Sequence, residues 1–544
     1  LEKKKDFMEN SKKTFSDYEK YYQRLNFELD VICSMGFSTY FLVVWDYINF
    51  ARKSIIPVGP GRGSAAGSLV AYALGITNID PIEHGLIFER FLNPSRNSMP
   101  DIDTDFSIDG REMVIEYVSM RYGHENVAQI ATFNKLSSKA ILKDMGKSGQ
   151  VSASLLEKLS GMIPITRGKP ASLNLMIVED SPSMEFRQNY LMNSILKSVI
   201  DKSIKFEGMV KTTAVHAAGI VISSVKLDGI VPLCRGQKGE IVTQYPMENI
   251  ELLGLLKMDF LGLKNLSMIE TVVNLVNHKY RNSILTIDSD CLKPHFDLPT
   301  YGLLARGDLE GIFQFDASYG MKDVVSEIRP NSIQDISSIL ALYRPGPLDA
   351  GLIPKFVTGK REEFAAIEFF PELHPILSET YGILLYQEQI MKLAQEIGGY
   401  SMDQADLLRR AIGKKKLREM QRQKKNFLEG CLNNSLEKDT VFSLFYQVVG
   451  FAEYCFNKSH SAAYAFTTYQ TAWLKSHWPV EFFASLLSAN LGDTDKIEKF
   501  IFQAASFGVM VCRPCLNNSD VFFFPDQFQR KNQLPFFRSR FSKQ

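Results

Sequence analysis

Residues 99–106 read MPDIDTDF, and this run constrains the chain more than any other. As a strand, its period-two geometry sets Asp101, Asp103 and Asp105 on one face and Ile102, Thr104 and Phe106 on the other. Three carboxylates on one strand face repel one another unless a cation compensates them. A bound divalent ion supplies that charge, and carboxylate oxygens suit Mg2+ or Mn2+. Taken alone, the run also fits an exposed acidic strand or an Asx-rich turn.

A second segment weighs against those readings. LLGLLKMDFLGL (252–263) is apolar almost throughout, as a buried strand is, yet it holds Lys257 and Asp259 two residues apart. Both project to one side, and burying them is costly unless they meet partners or a metal. Asp259 can complete a site with Asp101 and Asp103, leaving Lys257 to face an anionic substrate. A third piece is the run IIPV (55–58), β-like, followed by the glycine turn GPGRGS (59–64) and then AAGSLVAYALGI, which reads as a helix. Strand, glycine turn and helix in that order aim backbone N–H groups at an anion. The turn matches neither a Walker A loop nor GxGxxG, so a tight turn that needs glycine for conformational reasons stays open beside the phosphate reading. Two carboxylate-bearing strands, a glycine turn and a basic helical region together describe metal-assisted phosphoryl or nucleotidyl transfer.

The basic region is 403–425, DQADLLRRAIGKKKLREMQRQKK, with nine Lys or Arg against three acids, and Arg409, Arg410 and the lysines at 414–416 are concentrated in it. The whole chain has 62 basic and 61 acidic residues and a net charge of +1, so a uniformly basic coat is excluded and a local polyanion-binding groove is not. At 544 residues and 45% hydrophobic composition the chain is ordinary globular material, long enough for three or four domains. Seven scattered cysteines offer no disulfide framework and suit a reducing cytoplasm, and Cys512 and Cys515 have no second pair or histidine to complete a zinc site. The charged N-terminal stretch is no signal peptide and no apolar run reaches membrane-spanning length, so the expected location is cytoplasmic. Two helices split near Gly36 are predicted over 15–52, helix over 112–147, a strand-rich block over 214–263, and helix from 265 to about 508.

These residues resemble a known family. PVGPGRGSAAGSLVAYALGIT (57–77), FERFLNPSRNSMPDIDTDF (88–106), HAAGIVIS (216–223) and KMDFLGL (257–263) look like the bacterial DNA polymerase III alpha family, the C-family replicases. So do ALYRPGPLDAG (341–351), YGILLYQEQIM (381–391), ADLLRRAIGKKK (405–416) and FNKSHSAAYAFTTYQTAWLK (456–475), in the family's order from about residue 15 to about 520. The resemblance implies an α+β fold: a polymerase-beta-like nucleotidyltransferase palm with a mixed sheet, an inserted, mostly helical thumb, and a large helical fingers domain. The implied domains are palm over 1–132 and 213–264, thumb over 133–212, fingers over 265–510, and a divergent tail over 511–544. It implies a metal-binding catalytic triad of Asp101, Asp103 and Asp259 for two Mg2+ ions (Mn2+ also possible), with Asp105 as a supporting acid. Gly63, Ser64 and Lys257 fall where the family meets the incoming triphosphate, and Arg90 and Arg96 lie on the approach to the triad. Arg409 and Arg410 match the fingers arginines, and Lys458 and His460 lie in the matching FNKSHS segment. For the arginines a structural salt bridge, and for His460 a helix cap, remain the competing readings. The implied activity is DNA-directed DNA polymerisation from dNTP on primer-template DNA in chromosome replication. The implied partners are a sliding clamp, a clamp loader and a proofreading subunit, mostly through regions this sequence does not contain.

The sequence also departs from the family. It carries neither the family's His-rich N-terminal domain nor its post-fingers regions, and a chain truncated at both ends is the expectation. Lys211 and Ala214 stand where Arg and Gly are common. From Gln527 to Gln544 there are five basic residues and no acid, read as a flexible tail in which Gln533–Phe537 faintly resembles a clamp-binding peptide. The rival expectations are a non-catalytic DNA-binding remnant of the family and a nucleotide-sugar glycosyltransferase that uses Asp pairs on a metal.

Overall fold

A computed structural model describes residues 15–96, 99–149, 151–166, 169–279, 285–362, 373–413, 417–433, 438–452, 454–515, 517, 519–525 and 536–538. The chain forms two compact units: one of residues up to Val118 together with Met258 onward, the other of Ser119–Lys257. Strands that bear on the site are β1 (Asp103–Phe106), β2 (Val127–Lys135), β3 (Val210–Ile222), β4 (Leu233–Arg235), β5 (Ile241–Thr243) and β6 (Leu256–Gly262). The helices needed below are α1 (Phe15–Ser34), α2 (Ser38–Lys53), α3 (Leu69–Ala73), α4 (Gln387–Glu396), α5 (Met402–Gly413) and α6 (Lys458–His477). The result is a mixed α+β fold. Among the described residues no single helix is long and apolar enough to cross a membrane.

In the first unit α1 and α2 are separated at Gly36 (φ +77°), as the apolar spacing predicts. Buried Tyr47 of α2 packs on Phe106 and Phe260, which fixes the β1–β6 pair from its apolar face. β1 and β6 run parallel with Asp103 opposite Asp259 and Thr104 opposite Phe260. The predicted strand at 55–58 does not form. Ile55 (φ +59°) and Gly61 (φ +123°) turn the chain on either side and Pro57 has no N–H to give, so only a single bridge, Val58 to Phe106, fits between them. The helix predicted after Ser64 is broken. Ala65–Gly67 is one 3-10 turn, Ser68 is extended, and α3 starts only at Leu69, with the Ser68 hydroxyl capping the Ala71 N–H. The described residues between Lys264 and Ser506 are mainly helical, and α6 is buried on most of its faces. Its core runs from Leu266 and Ile269 through Phe356, Leu385 and Tyr469 to Phe482 and Phe500.

The second unit holds a mixed sheet in the order β3–β2–β5–β4, with β2 antiparallel to β3 and parallel to β5. Its helices between Ser138 and Phe206 close on a core that includes Leu142, Leu159, Phe186 and Ile200. The continuous helix predicted over 112–147 is corrected here: a helix at Ile108–Tyr122 stops at Gly123 (φ +101°), β2 follows, and helix resumes at Ser138. Val127, Ala128, Ile130 and Ala131 of β2 are buried and the strand pairs with β3 along its length, and that tertiary pairing overrides the helical propensity around it.

Of the sequence features singled out above, the lysines at 414–416 and residues 526–535 and 539–544 lie outside the described residues. Within the expected tail, residues 536–538 form a short strand, antiparallel to Phe524–Pro525 and parallel to Met510–Val511.

Candidate active site

Ligand oxygens of Asp101, Asp103 and Asp259 lie within 4.8 Å of one another. The parallel register sets Asp103 directly opposite Asp259, and Asp101 comes from the segment just before β1. Asp101 therefore approaches from a loop and not from the strand face that simple alternation predicted. The Tyr40 hydroxyl accepts the Ile102 N–H at 2.9 Å, which holds that loop in place. Asp105 follows Asp103 on the same face of β1 and is buried.

One cation meets these acids. The Arg62 guanidinium donates to Asp103 Oδ1 at 2.9 Å and stands 3.8 Å from carboxylate oxygens of both Asp105 and Asp259. Its backbone bridges that of Asp103, so the glycine turn itself delivers the charge. Burial, a hydrogen bond with Asp259 and the charge of Asp101 push the Asp103 carboxyl up to about 7 despite Arg62. Burial and the Asp259 charge likewise push Asp105 up to about 7 against the pull of Arg62. Three of the acids face Arg62, and Asp103 and Asp105 are held protonated more easily than free carboxylates. Three carboxylates converging from two segments are what a divalent-ion site requires.

Gly63 (φ +71°) lies so close to the cluster that a Cβ there would stand 2.9 Å from Asp103 Oδ2. Its N–H donates to His460 Nδ1 at 3.2 Å. Burial and the charge of Arg62 push His460 down to about 4, so the ring is neutral, accepts at Nδ1 and carries its proton on Nε2. The helix-cap reading of His460 is corrected: Asn457 is the cap of α6, accepting the Ser459 N–H, and His460 packs against Tyr464. Ser64 opens a 3-10 turn and not an α-helix, so the turn offers a few local N–H groups without a helix dipole behind them. Lys257 precedes Asp259 by two residues on β6, and its ammonium contacts Met247 Sδ at 3.1 Å.

The arginines form a second group. Arg90 and Arg409 both donate to the Gln387 side-chain oxygen, each at 3.0 Å. Asp406 pairs with Arg409 at 2.8 Å and with Arg96 at 3.1 Å. Burial, then the charge of Arg409, pushes Arg90 down to about 10. Three guanidiniums converge on the Asp406 carboxylate and the Gln387 amide, with the charges of Glu388 and Asp403 also acting on them. Arg410 follows Arg409 on α5. Lys458 is engaged elsewhere, in a 2.6 Å pair with Glu379, while the Glu388 carboxylate holds its backbone N–H at 2.9 Å.

Residues 2–262 match the family model described as the bacterial DNA polymerase III alpha NTPase domain, and residues 265–435 match the model of that subunit's finger domain. The chain belongs to the bacterial DNA polymerase III alpha family. It is 43% identical to the DNA polymerase III subunit alpha of Aquifex aeolicus over 526 residues, which is 93% of this chain and 45% of the relative. The subunit from Thermus aquaticus is 46% identical over 501 residues, 91% of this chain and 40% of the relative. That of Bacillus subtilis is 43% identical over 501 residues, 92% and 44% respectively. The chain thus spans less than half the length of these polymerase III alpha relatives. In this family member the sequence reading passed over Arg62, Gln387 and Asp406. Arg62 had a detectable signal, being the only charged residue inside the glycine turn. Gln387 and Asp406 had none, because their partners are remote in sequence.

Proposed function

We propose that this chain performs template-directed nucleotidyl transfer, joining the α-phosphate of a dNTP to a primer 3′-hydroxyl with loss of pyrophosphate. The observation that carries the reading is the convergence of Asp101, Asp103 and Asp259 within 4.8 Å, with a glycine turn beside it and a cluster of arginines in the same unit. Those three acids would hold two Mg2+ ions (or Mn2+), which supply Lewis-acid charge and lower the pKa of a bound hydroxyl. Asp105 supports the cluster through Arg62 without being a ligand. The backbone of Gly63 and Ser64 receives the triphosphate, with Gly63 exchanging its His460 partner for a phosphate oxygen. His460 stays neutral and keeps an Nε2 proton available as a donor. Arg90, Arg96, Arg409 and Arg410 spread the negative charge that develops on the leaving group, assisted by Lys257, and Lys458 joins them only by leaving Glu379. Template sequence is read by base pairing, so protein contacts run to phosphate and sugar.

In this reading palm occupies 1–132 and 213–264, thumb 133–212 and fingers 265–510, in the cytoplasm. Primer-template DNA is the macromolecular substrate, and the clamp, clamp loader and proofreading subunit are partners of a longer polypeptide. Primer extension by Asp103→Ala tests it. A loss of about a thousand-fold against the parent is expected. Extension at the parent rate removes the assignment, and a parent that binds primed DNA without extending it limits the chain to DNA binding.

A further inference from the structure

Glu28 is fully buried in α1, far in sequence from every residue assigned above, and apart from Arg24 of the same helix its bonds go to Ser68 and Val70. One oxygen takes the Arg24 Nε at 2.6 Å. The other accepts the Ser68 hydroxyl at 2.8 Å and the Val70 N–H at 3.0 Å. Arg24 completes the grip from the other side, donating to the carbonyl of Gly67 at 2.9 Å and to that of Leu86 at 3.4 Å. Gly67 and Ile87 touch so closely that a Cβ on Gly67 would lie 2.7 Å from the Ile87 carbonyl. A third side chain of α1, Tyr21, binds Asp80 at 2.5 Å and extends the hold along the same loop.

A buried ion pair contributes little net stability compared with apolar packing of the same volume; what it does specify is position. Here the specified object is the break between the 3-10 turn and α3. Ser68 is extended because its hydroxyl serves both Glu28 and the Ala71 N–H. Two backbone bonds carry that constraint back toward the glycine turn: Gly67 N–H to Ser64 O and Ser68 N–H to Ala65 O, both at 3.0 Å. The opposite end of the turn is pinned to β1 by Gly59 N–H to Asp105 O at 2.9 Å and by the Arg62–Asp103 bridge. Gly63 and Ser64 are therefore suspended between two anchors, and only one of them belongs to the carboxylate cluster.

We propose that Arg24 and Glu28 are positioning residues that fix Gly63 and Ser64 for the incoming triphosphate. The inference rests on the triphosphate reading of that turn. Hydrogen exchange and dATP kinetics on the full chain separate the two ideas. In the parent, saturating dATP with Mg2+ should slow exchange at the Gly63 and Ser64 amides; no protection there overturns the triphosphate reading and this inference with it. In Glu28→Gln and Arg24→Met without nucleotide, exchange over 63–70 should quicken at least about tenfold, with the dATP KM raised about tenfold and kcat within about threefold of the parent. If the parent amides are protected but both variants keep the parent KM, the clamp is merely structural and the inference fails alone. Should Glu28→Gln not fold, Arg24→Met and Ser68→Ala carry the same comparison.

Discussion

Asp103 faces Asp259 across the β1–β6 register, accepts a hydrogen bond from Arg62 and shares its face with Asp105. Burial, then a hydrogen bond with Asp259 and the charge of Asp101, holds Asp103 up to about 7 against the pull of Arg62. Such a residue is kept for what it binds and works against stability when nothing is bound. Asp103→Asn retains an acceptor for Arg62 and gains a donor for Asp259 while removing one charge. Without divalent ions the variant should melt about 2 °C above the parent at neutral to mildly alkaline pH. Adding Mg2+ should raise the parent's melting temperature and leave the variant nearly unmoved. Scanning calorimetry with chelator and with Mg2+ decides; a variant that melts lower without metal and still responds to Mg2+ contradicts the account. At this scale the triad was legible because two independent signals, a period-two acidic run and a lone acid in an apolar run, each named its members. Arg62 stood out as the lone charge in the glycine turn, but its partner did not, because the bridge between Arg62 and β1 is encoded by no local pattern.

Helix α6 is held at both ends by buried charge. At its start Glu388 accepts the Lys458 N–H. Near its end Lys475 is fully buried and donates to the carbonyls of Asp308 at 2.8 Å and Glu310 at 2.7 Å, under the rings of Phe482, Phe483 and Phe507. Lys475→Met leaves both carbonyls without that donor, and a loss of about 2–4 kcal/mol is expected in denaturant unfolding. Burial pushes the Lys475 ammonium down to about 7, although Glu310 and Asp308 pull it upward. Between that value and the unfolded value of about 10.4 the unfolded chain holds a proton that the folded chain has released, so this group's contribution rises with pH across the window. The gap between parent and variant should widen from pH 6 to pH 9; a constant gap refutes the titration. Elements were legible where one face is buried over many residues, as in α2. They were misread where a single distant contact decides. A buried carboxylate on α1 breaks the helix predicted after Ser64, and pairing with β3 turns 127–135 from helix into strand.

For the whole molecule the net charge of +1 means that long-range attraction to DNA is close to nothing, and any affinity must come from local groups. Those groups are segregated: acids gather at β1 and β6, while arginines and lysines gather on α5 and the helix Leu417–Asn433 that follows it. On that helix Lys424 reaches the Tyr446 hydroxyl at 2.7 Å, and Lys425 stands 3.7 Å from Glu429, a spacing at which an exposed pair holds its partner weakly. Under the proposed function these lysines exchange such contacts for phosphate. Log affinity for primed DNA should then fall linearly with log salt, by about 0.9 per phosphate neutralised, even though the protein as a whole is nearly neutral. Replacing Lys424 and Lys425 together by alanine should lower that slope by about 2 and weaken binding alike on unrelated sequences. Fluorescence anisotropy of a labelled primer-template over a salt series reads both quantities. A parent slope near zero removes the electrostatic groove altogether, whereas a steep parent slope unchanged in the double variant moves the contacts off this helix and back to the arginines around Asp406.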